Sequence, residues 1–169
     1  IKYINGEKKR LITWASKIRS KENQLPPPKS IGHDLIEKLS RMDPYDFEED
    51  IRRVLESISG IHRIFRTKNV KDGGFDLEGE FLMQRPFNYS IKFKGEVKRH
   101  KASIGPKDVS RLVARLTRGE YGLFFTTSYF TTQAQKEAIE DDYPIKLISG
   151  KDLYDYYYES GLLDETVNS

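Results

Sequence analysis

Residues 121–127, Tyr-Gly-Leu-Phe-Phe-Thr-Thr, form a nearly continuous apolar and aromatic run. A strand of this kind has no polar face to give to water, so it is expected at the centre of a sheet covered on both sides. The flanking segments supply the cover. Phe47, Ile51, Val54, Leu55 and Ile58 recur at helical spacing between an N-cap at Asp43, with Pro44 at the first helical position, and a stop at Gly60. A shorter helical pattern, Asp34 to Arg41, precedes it. Three strand patterns follow: His62 to Thr67, Phe75 to Leu82 and Ile91 to Lys98, with a turn at Lys71-Asp72-Gly73-Gly74. Helices are expected after Gly105-Pro106, from Thr131 or Thr132, and over Asp152 to Ser160 before Gly161; a short strand lies at Ile145 to Ile148. The order α-α-β-β-β-α-β-α-β-α predicts an α/β sandwich. Its mixed sheet should begin as an antiparallel meander and continue through helical crossovers.

The first thirty residues read differently. Leu11, Ile12, Ala15 and Ile18 suggest a helix over 7–20, and Pro26 to Pro28 then favour an extended, semi-rigid linker. A boundary is placed near residue 30, giving a basic arm with its linker over 1–30 and a main domain over 31–169. The arm is either the tail of an upstream domain or a helix that packs back on the body. The chain does not start with Met, so it is read as a fragment or a processed form, with a possible upstream recognition domain.

Composition narrows the chemistry. Among 169 residues there is no cysteine, which removes thiolate metal sites and cysteine nucleophiles. The three histidines, His33, His62 and His100, have no ligand spacing. No apolar run reaches the roughly 20 residues of a membrane span, and the first residues are too polar for a secretory leader. No membrane association and a cytoplasmic location are therefore expected. The net charge of +3 hides an asymmetry: +6 over residues 1–30, +7 over 91–118 and −7 over 137–169. Such a distribution suits a polyanion on one side, although clustered solvated faces would look the same.

Three residues combine into a chemistry. On the strand Ile91 to Lys98, period two puts Lys92, Lys94, Glu96 and Lys98 on one face. Asp76 stands on the preceding strand, and pairing of the strands would converge Asp76, Glu96 and Lys98. Two carboxylates suit a hard, oxygen-loving cation, and a lysine beside them neutralises developing charge. That is a parts list for metal-assisted phosphodiester hydrolysis. An ordinary solvated strand face with ion pairs would carry the same spacing. Asp72 rivals Asp76, which is preferred because it lies inside the strand.

Residues 43 to 161 carry further pieces in order: Phe47-Glu48; Asp72-Gly73-Gly74-Phe75-Asp76; Gly95-Glu96-Val97-Lys98-Arg99; Ile104-Gly105-Pro106; Gly122 to Thr127; Phe130-Thr131; and Ile145 to Gly150. In these the chain resembles the Mrr-like branch of the PD-(D/E)xK nucleases. The resemblance implies a restriction-endonuclease-like α/β/α sandwich with a mixed central sheet and Mg²⁺-dependent cleavage of double-stranded DNA, with Mn²⁺ as a substitute. It implies Asp76 and Glu96 as acidic metal ligands, Lys98 as the motif lysine and Glu48 as a helix carboxylate completing the metal shell. Phe75 stands where the naming proline would be, as is usual in this branch. Many members carry Gln at the position of Glu96. A restriction enzyme is the first reading. A structure-selective repair nuclease such as a Holliday-junction resolvase shares the core and is the second; a non-catalytic DNA-binding module is the third.

Lys94, Arg99, Lys101, Lys107 and Arg111 are candidates for contacts to DNA phosphates, and His100 joins them either as a helper or as part of the basic face. Thr131, Thr132 and Gln133 open a helix and are expected to cap it. Cutting both strands with single-strand sites predicts a homodimer. Its expected contacts are the final helix around Tyr154 to Tyr158 and the arm residues Leu11, Trp14 and Ile18, unless these pack on their own core.

Overall fold

The computed structural model describes residues 17–58, 60–66, 77–99 and 101–169. The apolar and aromatic run at 121–127 forms strand β4, Tyr121–Thr126, in a five-stranded sheet ordered β1-β2-β3-β4-β5. The other strands are β1 (Ile61–Arg66), β2 (Leu77–Met83), β3 (Tyr89–Lys98) and β5 (Ile145–Ile148). β1, β2 and β3 form an antiparallel meander, and β3, β4 and β5 are parallel. The sheet is mixed as expected, and the parallel half is reached through helical crossovers.

Seven helices are described: α1 (Lys21–Gln24), α2 (Ile31–Arg41), α3 (Pro44–Glu56), α4 (Pro106–Val113), α5 (Thr132–Glu140), α6 (Gly150–Ser160) and α7 (Leu163–Asn168). Alternation along β4 divides the core. Leu123 and Phe125 join Leu35, Phe47, Ile51, Leu77 and Tyr157 on the side of α2, α3 and α6. Phe124 joins Val109, Leu112, Ala134 and Ala138 on the side of α4 and α5. Phe124 and Phe125 are both fully buried, each contributing roughly 1.5–3 kcal/mol of transfer free energy. Gly79 of β2 is required by this packing: a Cβ there would stand 2.4 Å from Cζ of Phe93.

The helix signals hold where they rest on caps. Asp43 Oδ1 accepts from Tyr45 N at 2.8 Å with Pro44 following, and Thr131 Oγ1 accepts from Ala134 N at 3.1 Å. Thr131 thus does the plain capping job. Gly161, at φ 75°, ends α6 in the left-handed region that glycine tolerates.

The segment before residue 30 departs from the linker reading. The expected helix over 7–20 lies mostly outside the described residues, and Lys17 to Ser20 are not helical. From Arg19 onward the chain is fastened to the body. Arg19 makes a bidentate pair with Asp152 at 2.8 and 2.9 Å. Burial would raise the Asp152 carboxyl, but Arg19 and the Ser149 N–H and hydroxyl outweigh it and hold the group below the usual aspartate range. Gln24 is buried between Arg19 and Phe130, and Pro26 is buried as well. Pro26 meets Gly32 closely, so the proline run turns the chain against α2.

The tyrosine-rich helix α6 mostly packs inward. Tyr157 is fully buried and donates to Asp50 Oδ2 at 3.0 Å. Burial pushes the Tyr156 hydroxyl up to about 12, with Asp152 and Asp155 adding to the effect. Tyr158 is exposed.

Candidate active site

One row of paired residues crosses the sheet: Arg66, Leu77, Gly95, Leu123 and Lys146. The next residue on β3 is Glu96, in register with Phe124 of β4, and Lys98 is in register with Thr126. Phe124 belongs to the α4 and α5 side of the core, so Glu96 and Lys98 share that side. Both are half-buried. The pairing of Leu77 with Gly95 joins the residue after Asp76 to the residue before Glu96. Asp76, Asp72 and His100 themselves lie outside the described residues.

Lys98 has an anchor that sequence reasoning missed. Its Nζ donates to Asp108 Oδ1 at 2.7 Å. Asp108 sits in the first turn of α4, where a carboxylate also opposes the positive end of the helix dipole. A signal for it existed: Glu96 and Asp108 are the only acids in the basic stretch 91–118.

Glu48 projects from α3 and is engaged by Arg66, whose Nη2 and Nε donate to Oε2 at 2.9 and 3.3 Å. The guanidinium lies 3.3 Å over the ring of Tyr45. Arg66 ends β1 in the row of Leu77 and Gly95, so Glu48 stands at the same end of the sheet as Glu96. It approaches from the α3 side, and a cation already neutralises it. This pair was not visible in the sequence.

The expected phosphate contacts separate into two groups. Lys94 is turned into the fold. Its Nζ donates to the Arg115 carbonyl at 2.9 Å and pairs with Glu120 at 3.1 Å, with only 14% of the side chain exposed. It is therefore a structural cation rather than a free phosphate contact. Burial would raise the Glu120 carboxyl, but hydrogen bonds from Thr117 and Lys94 hold it low. Arg99, Lys101, Lys107 and Arg111 are exposed, just beyond β3 and on α4.

Among the described residues no three His, Cys, Asp or Glu side chains gather closely enough to hold a metal ion. The donors that the motif would bring together, Glu96 with Asp76 and Glu48, are all carboxylates. An oxygen-only set fits a hard divalent cation such as Mg²⁺ or Mn²⁺ and excludes the soft-ligand alternatives.

A mixed five-stranded sheet between helices, with Glu-Val-Lys on the strand that joins its antiparallel and parallel halves, defines a restriction-endonuclease-like α/β domain. The family model for the Mrr catalytic domain, described as restriction endonuclease, matches residues 39–157, and the chain belongs to that family. Two solved structures agree. The MspJI restriction endonuclease, in complex with a 27-mer oligonucleotide, is 29% identical with a TM-score of 0.74, over 90% of this chain and 39% of that one. The DNA modification-dependent restriction endonuclease AspBHI is 28% identical with a TM-score of 0.78, over 90% of this chain and 41% of that one. The chain thus spans about two fifths of the length of these enzymes. No curated protein matches it. Among the described residues no helix is long and apolar enough to cross a membrane.

Proposed function

We propose that this domain is the DNA-cutting part of a restriction enzyme, a Mg²⁺-dependent endonuclease that hydrolyses phosphodiester bonds of double-stranded DNA and accepts Mn²⁺. The observation that carries the reading is the placement of Glu96 and Lys98 on one face of β3, inside the stretch matched to the restriction endonuclease family. Asp76, Glu96 and Glu48 are the proposed metal ligands. A divalent ion held by such carboxylates supplies an activated water and stabilises the leaving oxygen. Lys98 faces the same space and offers positive charge to the phosphate as it becomes more negative. Arg66 must yield Glu48 for that carboxylate to join the metal shell. The test is incubation of plasmid DNA with Mg²⁺, Mn²⁺ or EDTA. Cleavage with either ion and none with EDTA is expected; cleavage undiminished by EDTA would overturn the metal-dependent reading.

Asp108 gives a finer expectation as the positioning residue for Lys98. Asp108→Asn keeps the shape but removes the charge that holds Nζ at 2.7 Å. The pair is partly exposed, with side chains 32% and 24% accessible, so its loss is worth about 1 kcal/mol, or roughly fivefold in rate. The fall should appear in kcat with KM little changed, because the contact matters where charge develops. An unaltered kcat would show that the strand alone places Lys98.

Target choice we assign to a separate recognition domain. The support is length: each structural relative is more than twice as long as the matched region. Dependence on modified DNA, the property by which AspBHI is described, would then belong to that domain. One strand-cutting site per chain supports a homodimer on duplex DNA. Exposed apolar side chains are concentrated on the β2–β3 hairpin at Met83, Phe87 and Tyr89 more than on α6, where Tyr158 is the exposed one.

A further inference from the structure

A groove of about 400 Å³ opens between the docked segment before α2 and the chain that leaves β3 and β4. Lys21, His33, Ser40, Lys101 and residues 127–129 line it, with Leu25 and Ile36 among its apolar members. Its position follows from the topology. Thr127 to Tyr129 directly follow β4, whose last residue, Thr126, is in register with Lys98. Lys101 comes three residues after Lys98. Arg99 Nη1 donates to the Ser40 carbonyl at 3.2 Å and so ties α2 to the end of β3. The groove is therefore continuous with the end of the sheet where the Glu96 and Lys98 strand stops.

Its charge is one-sided. Lys21 and Lys101 are exposed, and Lys21 Nζ lies 5.1 Å from the centre of the Tyr129 ring. The lining acid is Glu37, which Arg41 engages at 2.9 Å and His33 approaches at 4.0 Å. Exposed cations beside a site that acts on phosphodiesters complement a nucleic-acid backbone.

We infer that this groove is a track for the DNA backbone next to the cut phosphate, with Lys21 and Lys101 as its phosphate contacts. The inference rests on the nuclease reading and deepens it: the segment before α2 becomes part of the DNA-binding surface. Phosphate contacts of this kind fix register and orientation without reading bases.

The test is equilibrium binding of a fluorescein-labelled duplex in EDTA across a salt titration, with Lys21→Ala plus Lys101→Ala against the unaltered protein. Each lost phosphate contact lowers the salt slope by about 0.9, so the double variant should lose roughly 2 in slope and bind about tenfold more weakly or worse at low salt. Lys92→Ala, an exposed lysine of β3 opposite Glu80 of β2 and outside the groove lining, is the control and should leave the slope where it was. An unchanged slope in the double variant overturns the inference, as does weaker binding with the slope intact. Binding in EDTA needs no cleavage. Failure of the nuclease reading would show instead as intact plasmid with Mg²⁺ and Mn²⁺.

Discussion

Glu96→Ala is expected to abolish DNA cleavage, by on the order of 10³-fold or more, while the protein stays folded. The side chain is half-buried on a sheet face beside Lys98, and no described hydrophobic cluster includes it. Its removal takes away a carboxylate from the proposed oxygen-only ligand set without emptying a core site. The Gln that many members of the family carry at this position sharpens the test. Glu96→Gln keeps one ligating oxygen and loses the negative charge, so it should retain cleavage with a higher Mg²⁺ requirement. Alanine leaves no oxygen, and added metal should not rescue it. Near-native cleavage by Glu96→Ala, measured on plasmid DNA across a Mg²⁺ titration, would remove Glu96 from the site. Unfolding of the variant by circular dichroism would make Glu96→Gln the deciding comparison.

The parts of this domain that the sequence made legible are those set by local periodicity and short-range chemistry. β4 announced its burial on both faces because an alternating polar set was absent. Glu96 and Lys98 could be put on one face of β3 because side chains alternate along any strand. Asp43-Pro44 and Thr131 marked helix starts because capping is decided within three residues. Long-range pairings escaped. Period two correctly put Lys94 with Glu96 and Lys98, but nothing local says that the turn around Arg115 and Glu120 folds over it. The Asp108 anchor of Lys98 and the Arg66 clamp on Glu48 span 10 and 18 residues and depend on how β1 and α4 meet the sheet. α7 was not anticipated: its six residues carry too short a pattern to stand apart from a tail. The proline run misled for a related reason. Composition predicts stiffness, but docking depends on partners more than a hundred residues away.

Those partners make Gln24 the most consequential residue outside the site. Gln24 is 1% exposed. Its Nε2 donates to the Phe130 carbonyl at 3.0 Å, and its Oε1 accepts from Phe130 N at 2.9 Å, imitating one rung of a β-ladder. The same Nε2 also reaches the Arg19 and Ser20 carbonyls at 3.1 and 3.3 Å, tying the segment to itself. Gln24→Ala would leave the Phe130 N–H without this acceptor, whereas the Phe130 carbonyl keeps Gln135 Nε2 at 3.1 Å. One stranded buried donor costs about 1–3 kcal/mol, and the emptied side-chain volume adds to it. A total of about 2–4 kcal/mol is expected, a large share of the roughly 5–15 kcal/mol that holds a domain together. The loss should be partly local, because Arg19 remains paired with Asp152 and Gln135 remains bonded to Arg19. That second anchor has its own pH limit: the Asp152 carboxyl is held low, so its contribution is present above the ordinary aspartate value and is lost as the pH falls through the lower folded value. In Gln24→Ala, urea unfolding should shift to lower midpoint, and limited proteolysis should cut within residues 17–30 faster than in the parent. An unfolding free energy within a few tenths of a kcal/mol of the parent, with no new cut before α2, would mean that the segment is a linker after all.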